Sequence, residues 1–387
     1  MKIEDLDNCA GCTACFSKCP KSAIQMIKRE DGFLYPNIDY SRCIRCNLCE
    51  KTCPILNKKE EKKNFLVRKV YAMKTEKSEI RKCSSSGGIF SALAEYILEA
   101  GGVVFGAAYE DNFSVSHICI HDKKELPKLI GSKYVQSELH EVFKQTKIAL
   151  DNEQLVLFSG VPCQIIGLKA FLGENYDNLV CVDVVCHGVP SFNLLDSYIK
   201  YKENSRKQNV IAFSFRDKSK GWRNYSISIT YENGDIEYIP HTDDLFMKLF
   251  LSDVALRKSC YYKNCKGNNR ESDITIGDFW GIKNIAPNLD DDMGTSLVIV
   301  NSQKGLDLIN SLKSCSKQEV SYNESISYNP SITISAKLRK HKEEFYRDLI
   351  NLDYSVMVDR YTRSSFIEKL RIKIKRIARK FYYLVKR

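Results

Sequence analysis

From residue 70 onward, apolar positions alternate between short continuous runs and helical spacing. Val70–Lys74 reads as a strand. Ile89–Ala100 places Ile89, Phe90, Leu93, Ile97 and Leu98 at the spacing of a helix face. Val103–Ala108 is the next strand and Leu139–Leu150 the next helix. Leu155–Phe158 is an apolar strand that enters the turn Ser159–Cys163 and then the helix Gln164–Leu172. Leu179–Val185 is almost continuously apolar and ends in Cys186-His187-Gly188. This alternation predicts an α/β domain around a largely buried sheet. Asn224–Thr230 and Asp235–Ile239, joined around Asn233-Gly234, predict an antiparallel hairpin. Before residue 57 the pattern is sparse, with short strands expected at Ala23–Ile27 and Gly32–Ile38. Asn57–Lys69 (NKKEEKKNFLVRK) is charge-rich and reads as a solvated linker.

Composition narrows the class. At 387 residues two or three domains are expected, and 43% hydrophobic with 28% charged residues is ordinary globular usage. No stretch reaches the roughly 18 apolar residues of a spanning helix; Ile89–Tyr109 is broken by Glu95 and Glu99. Met1–Asn8 is acidic and lacks the apolar core of a secretory signal, so a cytosolic protein is expected. Disulfides are rare there, and the 16 cysteines point first to metal binding.

Cys9, Cys12, Cys15 and Cys19-Pro20 form C-x2-C-x2-C-x3-C-P, and Cys43, Cys46, Cys49 and Cys53-Pro54 repeat it. Each run is the bacterial ferredoxin pattern for a 4Fe–4S cube, in which the fourth cysteine serves the other cluster. One cluster is therefore assigned to Cys9, Cys12, Cys15 and Cys53, the other to Cys43, Cys46, Cys49 and Cys19. Structural zinc is the alternative, but it pairs two separated C-x2-C knuckles rather than three thiolates in one tight run. Fully cysteine-ligated cubes offer no open iron, so catalysis must lie elsewhere in the chain or in a partner.

Ser86-Gly87-Gly88 opens a helix and can receive a phosphate, or serve simply as a cap. That loop is one of six motifs, with Gly131–Ser137 (GSKYVQS), Ser159–Gln164 (SGVPCQ), Cys186–Ser191 (CHGVPS), Phe215–Arg223 (FRDKSKGWR) and Asp273–Gly281 (DITIGDFWG). Through them the chain resembles the coenzyme F420 hydrogenase/dehydrogenase beta-subunit family, over about residues 1–300, with the fused dicluster ferredoxin many members carry. The resemblance implies an α+β chain. A small dicluster ferredoxin domain (1–56) and the linker (57–69) precede an α/β FAD-binding catalytic domain (70–330). A helical C-terminal region with a basic amphipathic tail (331–387) follows.

The family implies an oxidoreductase in which FAD converts single electrons from the clusters into a two-electron reduction of an organic acceptor. Members similar to it act on a deazaflavin or a chlorophyll side chain, or occur in surface-polysaccharide biosynthesis. The fused ferredoxin and basic tail resemble the last group most, where the substrate is a nucleotide sugar or lipid-linked glycan. Alternatives are a deazaflavin oxidoreductase and a non-catalytic subunit that passes electrons to a partner enzyme. The expected electron donor is ferredoxin-like or another low-potential carrier. Carried over residue by residue, Ser86, Gly87 and Gly88 lie near the pyrophosphate, and Lys133, Tyr134, Gln136 and Ser137 beside the isoalloxazine or phosphates.

Of the other eight cysteines, Cys119 and Cys181 fall within apolar strands and read as core. Cys315 follows a helix in a polar stretch, without an evident partner. The family implies a third 4Fe–4S cluster on Cys163, Cys186, Cys260 and Cys265; here the last two are four residues apart where relatives have two, which leaves buried or reactive thiols as the alternative. His187 is a candidate proton donor or a packed turn residue. Asp278 and Trp280 are candidates for the acceptor pocket, as is Trp222, which equally suits a core.

Arg363–Arg387 holds ten Lys/Arg and one acidic residue, Glu368, so it carries +9 of the chain's +11. Ile367, Leu370, Ile374, Ile377, Phe381 and Leu384 recur at spacings of 3 and 4, a narrow apolar stripe. Such a helix suits an anionic membrane surface on the cytoplasmic face, docking on its own domain or a partner helix, or, least of the three, nucleic acid.

Overall fold

The computed structural model describes residues 2–57, 69–263, 265–268 and 270–362. Most of the linker and all of Arg363–Arg387 lie outside the described residues.

The two cysteine runs fold as copies of one another. Gly11 and Arg45, 34 positions apart, take left-handed backbone at φ 66° and 55°, and Thr13 and Asn47 follow at 58° and 57°. Each pair leads into a five-residue helix, α1 (Ala14–Lys18) and α2 (Leu48–Thr52), closed by Cys19 and Cys53 at ψ 114° and 115°. Between them β1 (Ile24–Lys28) and β2 (Leu34–Ile38) pair antiparallel, close to their expected limits.

The large sheet has eight strands in the order β13-β3-β12-β11-β7-β6-β4-β5. They are β3 (Lys69–Thr75), β4 (Val103–Tyr109), β5 (Val115–Ile120), β6 (Val156–Gly160), β7 (Leu179–Val184), β11 (Ile274–Asp278), β12 (Ser296–Val300) and β13 (Cys315–Glu319). Four neighbours run parallel, β4 to β6 to β7 to β11, with antiparallel strands outside them. The apolar runs of β6 and β7 are buried because helices cover both faces: Ile89–Glu99 on one, Val142–Asp151 and Pro162–Leu172 on the other. The helix expected from Leu139 starts only at Val142, since Glu138 bridges to Ser116 of β5. Cys315 does have a place: it opens the edge strand β13, paired to Thr75.

A second sheet, ordered β10-β9-β8, holds the expected hairpin, β9 (Ser226–Tyr231) and β10 (Ile236–Pro240), plus β8 (Val210–Asp217). β8 is irregular in register and carries Ser214, Arg216 and Asp217, which obscures its alternation. Its core joins Phe33 and Tyr35 of the cysteine-rich region with Phe215, Phe246 and the C-terminal Met357 and Val358. Residues from all three regions therefore share one apolar cluster. Among the described residues no helix is long and apolar enough to cross a membrane.

The topology sets out the site. The parallel strands deliver one residue each to the same edge of the sheet: Tyr109 ends β4, Cys163 follows β6, Cys186 follows β7, and Asp278 ends β11. Ligands in open parallel sheets gather at this carboxyl edge.

Candidate functional site

Cys9, Cys12, Cys15 and Cys53 line one small cavity with Gly11, Thr13 and Ile55, partly open to solvent. Cys15 has Cys12, Cys9 and Cys53 as its charged neighbours, the crossed set expected from the spacing. Backbone amides face the sulfurs: Gly11 N–H donates to Cys9 Sγ at 3.4 Å, Ala14 to Cys12, and Ile55 and Leu56 to Cys53. Burial pushes the Cys12 thiol up to about 12, so thiolates in this cavity require a bound cation's charge.

In the second set, Cys49 feels Cys19, and Ala23 N–H donates to Cys19 Sγ at 3.3 Å. Cys46 is exposed, as is Ile44 beside it. Among the described residues no three His, Cys, Asp or Glu side chains stand close enough to hold a single metal ion. A cube spreads its four thiolates more widely than one tetrahedral zinc does, and the donor set with its amide-to-sulfur bonds fits the cube.

The inner set abuts the large sheet. A Cβ on Gly167, in the helix Pro162–Leu172 that also carries Cys163, would lie 2.7 Å from Cys12 Cβ. The Cys163 thiol is raised by burial and then by Cys265, Cys186, Cys260 and Cys12. Four cysteines from three segments of the chain thus converge next to the inner ferredoxin site, despite the wider Cys260–Cys265 spacing. Lys266 Nζ donates to the His187 carbonyl and sits near Cys186 and Cys260. His187 Nε2 is 2.7 Å from Asp253, and its ring meets Phe250 edge-on. Burial would raise the Asp253 carboxyl, but the His187 and Lys337 hydrogen bonds outweigh it and hold it low.

The GSKYVQS motif is divided between two sides. Ser132 donates to Ser85, the Lys133 ammonium binds only the carbonyls of Ile130 and Gly131 above the Tyr109 ring, and Tyr134 stacks on Phe250. Gln136 instead accepts from Arg257 and donates to Ala10 O, beside the inner cysteines. Ser137 bonds His117 and Gln164. In the Ser86–Gly88 loop, Ser86 donates to Thr295 O, and a Cβ on Gly87 would meet Met73 O at 2.4 Å. These glycines allow close packing on β3 and β12. Gly88 caps the helix in the left-handed region, φ 79°.

The residues around Ser85 fit an anionic aromatic cofactor. Burial lowers Lys133 to about 7, and burial followed by Arg216 and Arg81 lowers Lys218 to about 8. Lys218 binds three backbone carbonyls, those of Arg81, Ser86 and Met293. The buried Tyr109 hydroxyl has no partner. Two half-buried ammonium groups bonded to neutral carbonyls suit the wall of a diphosphate site. Asp278 accepts from Arg216 through both oxygens, at 2.9 and 3.1 Å, and from the Trp222 indole at 3.0 Å. Trp222 is core, 1% exposed; Trp280, stacked on it at 4.9 Å, is 43% exposed.

Sequence reasoning missed Arg216 and Lys218, although both lie within FRDKSKGWR. For Tyr109 and Arg257 no local motif exists.

Family models match three stretches: the 4Fe-4S dicluster domain at residues 8–56, and the coenzyme F420 hydrogenase/dehydrogenase beta subunit at 70–144 (N-terminal part) and 153–325 (C terminus). An uncharacterized ferredoxin of Methanocaldococcus jannaschii is 37% identical over 71 residues, 16% of this chain and 91% of the ferredoxin. A chain of the F420-reducing NiFe hydrogenase complex from Methanosarcina barkeri is similar at 17% identity and TM-score 0.45, over 75% of this chain and 91% of that one. With quartets, motifs and models in one order, the chain belongs to the coenzyme F420 hydrogenase/dehydrogenase beta-subunit family, with a 4Fe–4S dicluster domain fused at its N-terminus.

Proposed function

We propose that this iron–sulfur protein is a flavin-dependent oxidoreductase that passes electrons from its two ferredoxin clusters, through a third cluster and FAD, to an organic acceptor. The observation that carries the reading is the convergence of Cys163, Cys186, Cys260 and Cys265 beside Cys12. When bound, FAD supplies the change from one-electron to two-electron chemistry. Lys133 and Lys218 would neutralise its diphosphate; Tyr134 and Trp280 would face its rings. Asp278 holds Arg216 in place. His187, oriented by Asp253, would give the acceptor its proton. The exposed loop at Cys46 supports entry of electrons from a ferredoxin-like donor. Anaerobically purified protein should contain about twelve irons and one FAD per chain. About eight irons would remove the third cluster, and absence of flavin would remove the converter.

The acceptor in this reading is a nucleotide sugar or lipid-linked glycan of surface-polysaccharide biosynthesis, supported by the fused ferredoxin and basic tail. Deleting Arg363–Arg387 should then abolish sedimentation with anionic vesicles. Equal sedimentation of truncated and full-length protein would refute the membrane role. Turnover with dithionite and a small acceptor, without a partner protein, would separate an enzyme from a pure electron-transfer subunit.

A further inference from the structure

Arg257 is 1% exposed, yet among the described residues no carboxylate lies within salt-bridge distance of it. Its guanidinium donates to Cys9 O at 2.7 Å, Gln136 Oε1 at 2.8 Å and Leu34 O at 2.8 Å, all uncharged acceptors. The Tyr35 and Phe33 rings lie 4.4 and 5.1 Å away. Carbonyls and ring faces satisfy the donors without a direct counter-ion, Asp31 being bonded to the Tyr35 hydroxyl instead, and this is an expensive arrangement in a buried site. Its location explains the expense. The guanidinium lies on the Cys9–Cys12 loop, so close that a Cβ on Gly11 would meet Nη1 at 2.8 Å, and Cys260 on the other side also feels it. Four thiolates around a 4Fe–4S core leave a net negative charge, and that charge grows by one on reduction.

Among the described residues the twin loop shows no hydrogen bond from a buried cation of the large domain; Thr52 donates to Ala170 O instead. Arg45 stands where Gly11 stands in the first copy, and it is exposed, so water screens it. Burial alone would make the inner cluster harder to reduce than its exposed twin, because burial disfavours the more charged state. An electron moving inward would then climb.

We propose that Arg257 is the counter-charge of the inner cluster: it raises that cluster's reduction potential and removes the uphill step from the outer one. Each transfer moves one electron, supplied to the outer cluster by a ferredoxin-class donor. No bond is made or broken, and the guanidinium keeps its proton. The proposal rests on the 4Fe–4S reading of the inner quartet and on neither the flavin nor the third cluster.

The test is an EPR-monitored redox titration of the full chain. Arg257→Gln should lower one of the two ferredoxin midpoints and leave the other, with about a ten-fold loss in the equilibrium constant for reduction, about 59 mV for one electron. Gln136→Glu places a carboxylate on the same guanidinium and should lower the same midpoint without removing the arginine. If Arg257→Gln loses iron, the Gln136→Glu midpoint decides. Unchanged midpoints with iron retained overturn the proposal. Loss of the cluster in both variants also overturns it, since Arg257 would then be a structural clamp. A wild-type chain with no iron at the inner quartet would remove the reading itself, a result distinct from unchanged midpoints.

Discussion

The inner and outer cysteine sets share their spacing and their backbone angles, yet their surroundings differ. Cys12, Cys15 and Cys53 are buried and Cys46 is open to water. One copy has Gly167, Arg257 and Gln136 against it; the other presents Ile44 and Arg45 to solvent. The difference teaches that a local motif specifies which cluster binds, whereas the packing around it specifies what that cluster can exchange electrons with. Position 11 records this in one residue. Both copies need a left-handed backbone there, but only the copy under the large domain needs glycine, because a side chain would strike Arg257.

The strongest way to break the comparison is to remove one ligand from each copy. Cys12→Ala and Cys46→Ala should each lose about four irons per chain. Only Cys12→Ala should also loosen the module from the large domain, on the order of several kcal/mol, because metal binding there is folding free energy. Limited proteolysis between residues 57 and 69 reads this directly, and equal cleavage of both variants would mean that the copies contribute alike.

A smaller effect tests the wall behind Gln136. His117 is 4% exposed, bonded to Ser137 and to Ser159 O, and burial lowers it to about 4. The folded protein keeps it neutral, while the unfolded chain takes up a proton below its usual value near 6.5. Stability should therefore be full above pH 6.5 and fall as the pH drops toward 4, by about 3 kcal/mol. Urea unfolding measured across this window should show the slope, and His117→Asn should flatten it. An unchanged slope would place the acid sensitivity elsewhere.

The smallest change is Gly167→Ala, which crowds Cys12 and nothing in the outer loop. A cost of about 1 to 3 kcal/mol is expected. Thermal unfolding should move down with outer-cluster iron intact, and a wild-type melting temperature would show that the helix yields.

The quartets, the strands from β3 to β7 and the hairpin β9–β10 were legible because each is written within a few tens of residues. Cys163 and Cys186 were legible as the ends of two neighbouring strands, whereas their convergence with Cys260 and Cys265 was suggested by family resemblance alone. β8 was illegible because Arg216 and Asp217 interrupt its apolar alternation, and those charges belong to the site. Gln136 and Ser137 were expected beside a flavin with Lys133 and Tyr134; the bonds of Gln136 run to Ala10 and Arg257 and those of Ser137 to His117 and Gln164, partners that no spacing in the chain records.

The sequence by itself determined the ferredoxin module, because ligand spacing and left-handed turns are local and a cube requires them wherever the module sits. It also determined that a buried sheet follows. Only the tertiary structure decided which copy faces inward, that four parallel strands end at one edge, and that among the described residues no carboxylate pairs directly with Arg257. Charge compensation and burial depend on neighbours far away in the chain, and no spacing records them.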